Sequence, residues 1–253
     1  RFQAHPHHHP HHHCTTTTTK TNNNPSHRTR CWCAPLHMSA AIPMMMSLSA
    51  WVSLDQSFLV MCAAVVACPL VWNILARLQY RHQLLSRLCC GNPYVGCYLL
   101  AAWIFSSSRA RDLLFEHCMS QWPIHPDLAT SPWVKLAAVL CFGVGIVLVY
   151  TSMAALGVAG TFLGDYFGIL QTQMITSFPF NVVANPMYVG SSLCYLGHAL
   201  FAGSPTGIVI AGVVYLCYKV ALAFEGPYTS MIYRNAEDQL RKFREEEMKK
   251  KQQ

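Results

Sequence analysis

The stretch "VKLAAVLCFGVGIVLVYTSMAAL", residues 134–156, decides the fold of this chain. A transmembrane helix needs about 20 predominantly apolar residues, so this stretch is long enough to cross a bilayer unaided. The chain beyond it is just as poor in charge: residues 136–218 contain no Lys or Arg, and Asp165 is their one acid. Because a surface that faces water needs charged groups, this region predicts a membrane protein.

The composition of the whole chain agrees with that interpretation. Of 253 residues, 53% are hydrophobic and 11% are charged, whereas soluble domains carry about 25% charged residues. The net charge of +7 comes largely from the two ends and from the short basic segment 77–87. This placement predicts contact with anionic lipid headgroups, and the sequence has no nucleic-acid-binding motif. The 12 cysteines match no zinc-ligand spacing, so we expect no metal site.

Three regions differ in composition. Residues 1–45 form a low-complexity extension rich in His, Thr and Asn, which we expect to be disordered. Residues 46–234 contain all the long apolar segments and are predicted to be the membrane-embedded domain. Residues 235–253 are almost wholly polar or charged, and their Lys and Arg content favours the cytoplasmic side of the membrane.

The apolar segments predict an all-α integral membrane protein with about four to five apolar helices. Segment 58–76 contains Cys68-Pro69, which predicts either a kinked span or a helix within one leaflet. Segment 93–108 is short for a full crossing. The number of complete crossings and the side on which each loop lies stay open.

A C-terminal helical hairpin is predicted from segments 187–203 and 205–224. They are separated by Gly203-Ser204-Pro205, in which Ser204 suits an N-cap and the proline suits a first helical turn. In an antiparallel hairpin the start of one arm lies beside the end of the other. The sequence therefore predicts that Asn185 and Tyr188 meet Glu225 at one membrane face.

Two interpretations of that polar cluster are possible. An acid at the edge of an apolar span is costly and tends to be functional, which makes Glu225 the strongest candidate. The alternative is structural: Asn185 caps a helix, Tyr188 belongs to an interfacial aromatic belt and Glu225 reaches water. Asp165, alone in its long neutral region, is a further candidate for holding a cationic group.

The triplet Gly143-Val144-Gly145 lies inside the long apolar stretch. A G-x-G pattern that follows no strand is weak evidence for nucleotide binding. On the residues alone, close packing of two helices through small side chains is the favoured interpretation.

Several motifs resemble the phosphatidylethanolamine N-methyltransferases, integral membrane enzymes of the phospholipid methyltransferase family. They are "GVAGTFLGDYFGIL" (157–170), "FPFNVVANPMYVGSSLCYLGHAL" (178–200) and "FEGPYTSMIYR" (224–234). The resemblance covers residues 46–234. It implies an enzyme of the endoplasmic reticulum and associated mitochondrial membranes. Such an enzyme uses S-adenosylmethionine to methylate phosphatidylethanolamine three times, through its mono- and dimethylated forms, to phosphatidylcholine.

The resemblance also implies roles for individual residues. The family's G-x-G cofactor triplet corresponds to Gly143-Val144-Gly145, which reverses the packing interpretation. Its acidic cofactor pair corresponds to Glu225 and Gly226, where this chain has glycine instead of the second acid. Asn185 and Tyr188 are expected to orient the headgroup or the cofactor. Either Asp165 or Glu225 is expected to accept the proton from the substrate ammonium.

Two other classes of function are weighed against this one. An isoprenylcysteine carboxyl methyltransferase shares a Pro-x-Tyr helix entry and a late Glu. The second alternative is a non-catalytic membrane protein: a transporter, a lipid-binding protein or, as Gly226 suggests, a paralogue that has lost catalysis. The oligomeric state is not predicted by the sequence.

Overall fold

The computed structural model describes residues 51–172 and 175–252, and within them every regular element is helical. The predicted extension 1–45 lies outside the described residues. In chain order the α-helices are α1 (Gln56–His82), α2 (Leu84–Leu88), α3 (Pro93–Met119), α4 (Pro126–Thr130), α5 (Pro132–Thr161), α6 (Pro186–Ala202) and α7 (Pro205–Gln252). A 3₁₀ turn, Gly164–Phe167, follows α5.

Within residues 51–172 and 175–252, three helical segments are long and apolar enough to cross a membrane by length and composition: Gln56–His82, Pro132–Phe167 and Pro205–Lys251. Their outward faces carry large exposed apolar side chains, such as those of Leu70, Val139 and Leu216, as expected of surfaces that lipid covers. The prediction of an all-α integral membrane protein is therefore confirmed.

Helix α1 continues through Cys68-Pro69, so its 27 residues form one helix of about 40 Å. A proline has no N–H, which leaves the carbonyl four residues earlier without its helical partner. Here that carbonyl belongs to Val65, and the thiol of Cys217 on α7 donates to it across 3.6 Å. A side chain from a neighbouring helix thus satisfies the backbone group that Pro69 frees. By length and composition α1 is able to cross a membrane, so of the two predicted alternatives a span is favoured over a helix within one leaflet.

Helix α3 is longer than its apolar segment. The predicted apolar segment ends at residue 108, but the helix continues to Met119 and carries Arg109, Arg111 and Asp112 inside it. Arg111 and Asp112 have polar partners on the neighbouring helices, which offset the cost of keeping these charges within a helical bundle.

The hairpin of α6 and α7 is confirmed. Gly203 adopts a left-handed conformation (φ 69°) after α6, and Ser204 Oγ accepts from the N–H of Gly207 across 3.2 Å as the predicted N-cap. The second arm does not end near Phe224, however. Helix α7 runs through Pro227 and includes most of the predicted charged tail.

Helices α5 and α6 approach each other closely through glycines. A Cβ on Gly145 would lie 2.6 Å from the carbonyl oxygen of Gly190, and a Cβ on Gly190 would lie 2.7 Å from that of Gly145. Farther along α5, Gly157 takes a non-helical conformation (φ 66°) and bends the helix. This bend precedes the 3₁₀ turn that carries Asp165.

Candidate functional site

A cavity of about 550 Å³, called the main cavity below, lies among α1, α3, α5, α6, α7 and the 3₁₀ turn. Polar and charged side chains from all these elements line it, although most of the surrounding surface is apolar. The five sequence candidates that line the cavity are Asp165, Asn185, Tyr188, Glu225 and Gly226. The structure therefore brings these five residues together.

Glu225 has a buried carboxylate, with 8% of the residue exposed. Its Oε1 accepts from Trp72 Nε1 across 2.9 Å and from Asn73 Nδ2 across 2.8 Å. Its Oε2 accepts from the hydroxyl of Tyr188 across 2.6 Å. None of the ion pairs among residues 51–172 and 175–252 includes Glu225. Three neutral donors hold this carboxylate in place, and no Lys, Arg or His among the described residues forms an ion pair with it.

Asp165 faces α7 one turn beyond Glu225. Its Oδ2 accepts from the hydroxyl of Thr229 across 2.9 Å, and Thr229 follows Glu225 by four positions on the same helix face. Thr161, at the end of α5, also lines this part of the cavity. Its buried hydroxyl has no hydrogen-bond partner in the described part of the chain. A buried polar atom without a partner on the wall of a cavity is suited to a polar ligand.

Asn185 and Tyr188 begin α6 as predicted, but Asn185 does not act as a side-chain cap. It occupies the N-cap position and its side chain makes no capping hydrogen bond. The structural alternative places Tyr188 in an interfacial aromatic belt and Glu225 in water. The geometry disagrees with it, since the two side chains form a hydrogen bond with each other inside the bundle.

Gly226 lies on the cavity wall in the middle of α7. A Cβ at this position would meet no atom within 4 Å. The glycine is therefore not required by close packing, and a larger side chain has room there.

The triplet Gly143-Val144-Gly145 is not among the residues that line the cavity. Val144 is 51% exposed on the outer face of α5. Gly145 is buried against the backbone of α6, while a Cβ on Gly143 would meet nothing within 4 Å. This geometry favours the packing interpretation, and the cofactor role of the triplet stays a prediction.

Sequence reasoning missed several polar residues of the site. Trp72 and Asn73 hold the Glu225 carboxylate, and Arg111 with Tyr218 forms another part of the cavity wall. The pair Arg111-Asp112 was a usable signal, because adjacent charges that continue an apolar helix are unusual. Trp72 and Asn73 gave no comparable signal.

Potential metal ligands are not clustered in the part of the chain that the structure describes. Among the described residues no cluster of three or more His, Cys, Asp or Glu side chains is placed to hold a metal ion.

Comparison with known proteins places the chain in a family. The sequence model described as "Phospholipid methyltransferase" matches residues 133–236. Over 167 residues the chain is 49% identical to a phosphatidyl-N-methylethanolamine N-methyltransferase of Saccharomyces cerevisiae, covering 66% of this chain and 80% of that protein.

Relatives outside the fungi are similar over comparable lengths. The phosphatidylethanolamine N-methyltransferase of Homo sapiens is 44% identical, with 72% of this chain and 90% of that protein covered. Phosphatidylethanolamine N-methyltransferase A of Dictyostelium discoideum is 42% identical, with 72% and 84% covered. No solved structure matches the chain significantly. On this identity and coverage, the chain belongs to the phospholipid methyltransferase family.

Proposed function

We propose that this chain transfers methyl groups from S-adenosylmethionine to the amine of phosphatidylethanolamine and of its mono- and dimethylated forms, ending at phosphatidylcholine. The observation that carries the proposal is the buried Glu225 carboxylate on the wall of the main cavity, held by neutral donors and by no Lys or Arg of the described residues. A desolvated negative charge attracts cationic ligands strongly, and both the methyl donor and the lipid amine carry positive charge.

The residues that line the cavity suit the methyl donor. Its ammonium and sulfonium are cations that Glu225 and Asp165 can attract. The hydroxyl of Thr161, which has no partner among the residues that the structure describes, offers a hydrogen bond to a polar group. The space beside Gly226 leaves room for its bulk. When bound, S-adenosylmethionine supplies an electrophilic methyl group.

The two carboxylates differ in how fully they are engaged. Glu225 accepts three side-chain hydrogen bonds and Asp165 accepts one. Glu225 is thus fixed in place by side chains of α1 and α6, whereas the one side chain that holds Asp165 is Thr229, beside backbone N–H groups of its own turn. We therefore assign Glu225 to holding a cationic group, and Asp165 to accepting the proton that the substrate ammonium must lose before its nitrogen can attack.

The remaining polar residues orient the reacting groups. Tyr188 holds Glu225, and the free side chain of Asn185 is available to the headgroup or the cofactor. A methyl transfer needs the amine aligned behind the sulfonium, so positioning accounts for most of the expected rate enhancement.

Which lipid is the first substrate is a matter for experiment, because the relatives are named for different lipids. The fungal relative is named for a lipid that already carries one N-methyl group, and the human and Dictyostelium relatives are named for the unmethylated lipid. Family membership favours a phospholipid over the prenylated peptide of the first alternative class. We further propose the endoplasmic reticulum membrane as the location, on the resemblance alone.

The experiment is methyl transfer by the purified full chain in liposomes that contain phosphatidylethanolamine or its monomethylated form, with S-adenosylmethionine carrying a labelled methyl group. Label in the mono-, di- and trimethylated lipids supports the whole proposal. Label only when the monomethylated lipid is supplied restricts the substrate. No label with either lipid, from inserted and folded protein, would favour the non-catalytic alternative.

A further inference from the structure

Arg111 is a buried charge on the cavity wall that the proposed chemistry does not use. It lies in α3 with 6% of the residue exposed. A charge within a membrane bundle is costly, and such residues commonly mark substrate pathways or binding sites.

Three partners hold the guanidinium group of Arg111. Its Nε donates to the Tyr195 hydroxyl across 2.8 Å, one terminal nitrogen donates to the Tyr218 hydroxyl across 3.0 Å, and the other donates to Asp112 across 3.2 Å. Tyr195 in turn donates to Asp112 across 2.8 Å. This closed triangle of Arg111, Asp112 and Tyr195 orients the guanidinium group.

The same group retains donors for a ligand. A guanidinium has five N–H bonds, and three of them are used here. The Tyr218 hydroxyl accepts from Arg111, and its own hydrogen has no acceptor among the residues that the structure describes. Arg111 and Tyr218 therefore offer adjacent, oriented donors on the cavity wall, which is the arrangement that binds oxyanions.

The charges of the cavity are divided along α7. Tyr218 precedes Glu225 by seven positions, which corresponds to two helical turns or about 10 Å. The Glu225 and Asp165 carboxylates lie toward one end. Toward the other end lie Arg111 and the more exposed Arg109, with Asp112 paired to both, so that end keeps one net positive charge. A ligand with separate cationic and anionic groups matches this arrangement.

Apolar side chains of α3 and α5 line the same cavity as Arg111, and one of them is largely exposed on the outer surface of the bundle. Phe105 on α3 is 57% exposed, and Val149 and Met153 on α5 line the cavity opposite it. A ligand whose anion binds Arg111 can therefore leave apolar chains in the membrane between these two helices.

We propose that Arg111 and Tyr218 form a subsite for the phosphodiester of the lipid substrate. The subsite recognises an oxyanion, and two sources carry one: the lipid phosphodiester and the carboxylate of S-adenosylmethionine. The apolar side chains of α3 and α5 on the cavity wall favour the lipid, since a methionine carboxylate has no acyl chains to accommodate. The inference rests on the proposed function for the identity of the lipid.

The test measures binding instead of turnover. Isothermal titration of the full chain in detergent compares dihexanoyl phosphatidylethanolamine with an analogue in which an ether replaces the phosphodiester. A second pair compares S-adenosylmethionine with its decarboxylated form. The variants are Arg111→Gln and Tyr218→Phe, and Tyr215→Phe, an exposed tyrosine on the same helix, is the matched control.

We expect the wild-type chain to bind the phosphodiester lipid about tenfold more tightly than the ether analogue, the worth of one charge-assisted hydrogen bond. Both variants should lose that preference, whereas Tyr215→Phe should keep it. The subsite would be overturned if the wild type bound the two lipids with equal affinity. It would also be overturned if the variants lost affinity for both lipids to the same extent. Loss confined to the S-adenosylmethionine pair would overturn the lipid assignment.

Two features keep the result interpretable. Tyr218→Phe retains the aromatic ring, so it decides the question if Arg111→Gln does not fold. If binding depended on the phosphodiester but no methyl transfer occurred, the proposed function would be contradicted. The proposed subsite would still be supported.

Discussion

The hydroxyl of Tyr188 donates a 2.6 Å hydrogen bond to Oε2 of Glu225, which joins the first turn of α6 to the middle of α7. This bond determines where the negative charge of the cavity lies. It also places the start of α6 and the middle of α7, at the open end of the hairpin, around one buried carboxylate, together with Trp72 and Asn73 from α1.

Removing the Tyr188 hydroxyl should misplace the carboxylate without removing its charge. A hydrogen bond to a charged group contributes about 1.5–3 kcal/mol, so Tyr188→Phe should lower kcat/KM for the lipid by about 10- to 100-fold. Tyr150→Phe on α5, where the side chain is 65% exposed, is the control and should leave kcat/KM unchanged. Equal activities of the two variants would contradict the positioning role of Tyr188.

Neutralising Glu225 should abolish most of the activity while leaving membrane insertion intact. In Glu225→Gln the cavity loses one negative charge, and an amide N–H₂ replaces one of the oxygens to which neighbouring groups donate. Initial rates and protease protection of the inserted chain would be measured side by side. Glu237→Gln, on the exposed extension of α7, should match the wild type. Wild-type rates for Glu225→Gln would exclude this carboxylate from the site.

The two glycines of the G-x-G triplet should respond differently to alanine. In Gly145→Ala the new Cβ meets the backbone of α6 at 2.6–2.9 Å, and we expect a loss of about 1–3 kcal/mol in stability. In Gly143→Ala the Cβ meets nothing within 4 Å, and alanine is the better helix former, so stability should be unchanged or slightly higher.

Thermal unfolding and equilibrium binding of S-adenosylmethionine would be measured for both glycine variants. Weakened binding in a stable Gly143→Ala protein would support the cofactor role of the triplet. If Gly143→Ala bound S-adenosylmethionine as tightly as the wild type does, helix packing would be the one role left for the triplet.

A carboxylate restored at position 226 should strengthen binding of the cationic methyl donor. The cavity has space for the side chain, and a partly exposed ion pair contributes up to about 1 kcal/mol, so Gly226→Glu should tighten the Kd about two- to fivefold. Gly226→Gln has the same size without the charge and should leave the Kd unchanged. Equal effects of the two variants would attribute the change to shape instead of charge.

Much of the fold follows from local sequence. Long uncharged segments become helices because a bilayer offers no partners for exposed backbone groups, and the helix satisfies them internally. The break Gly203-Ser204-Pro205 predicts the α6–α7 hairpin, since glycine allows the left-handed turn and Ser204 caps the next helix. The same reasoning placed Asn185, Tyr188 and Glu225 at one end of that hairpin.

Helix ends that depend on neighbours could not be predicted in this way. The continuation of α3 past residue 108 requires partners for Arg111 and Asp112 on other helices. Likewise, α1 passes Pro69 with the freed carbonyl bonded to a thiol of α7.

The sequence by itself determined the apolar helices, the hairpin and the polar residues at the open end of that hairpin. Each of these features depends on groups that are close together in the chain. The tertiary structure alone decided which side chains meet across helices. Arg111 contacts Tyr195 and Tyr218 over separations of 84 and 107 residues. Such contacts are set by the rotation and relative height of packed helices, to which hydropathy is insensitive. For the same reason Glu225 could be recognised from the sequence, whereas its donors Trp72 and Asn73 and the Arg111 part of the cavity could not.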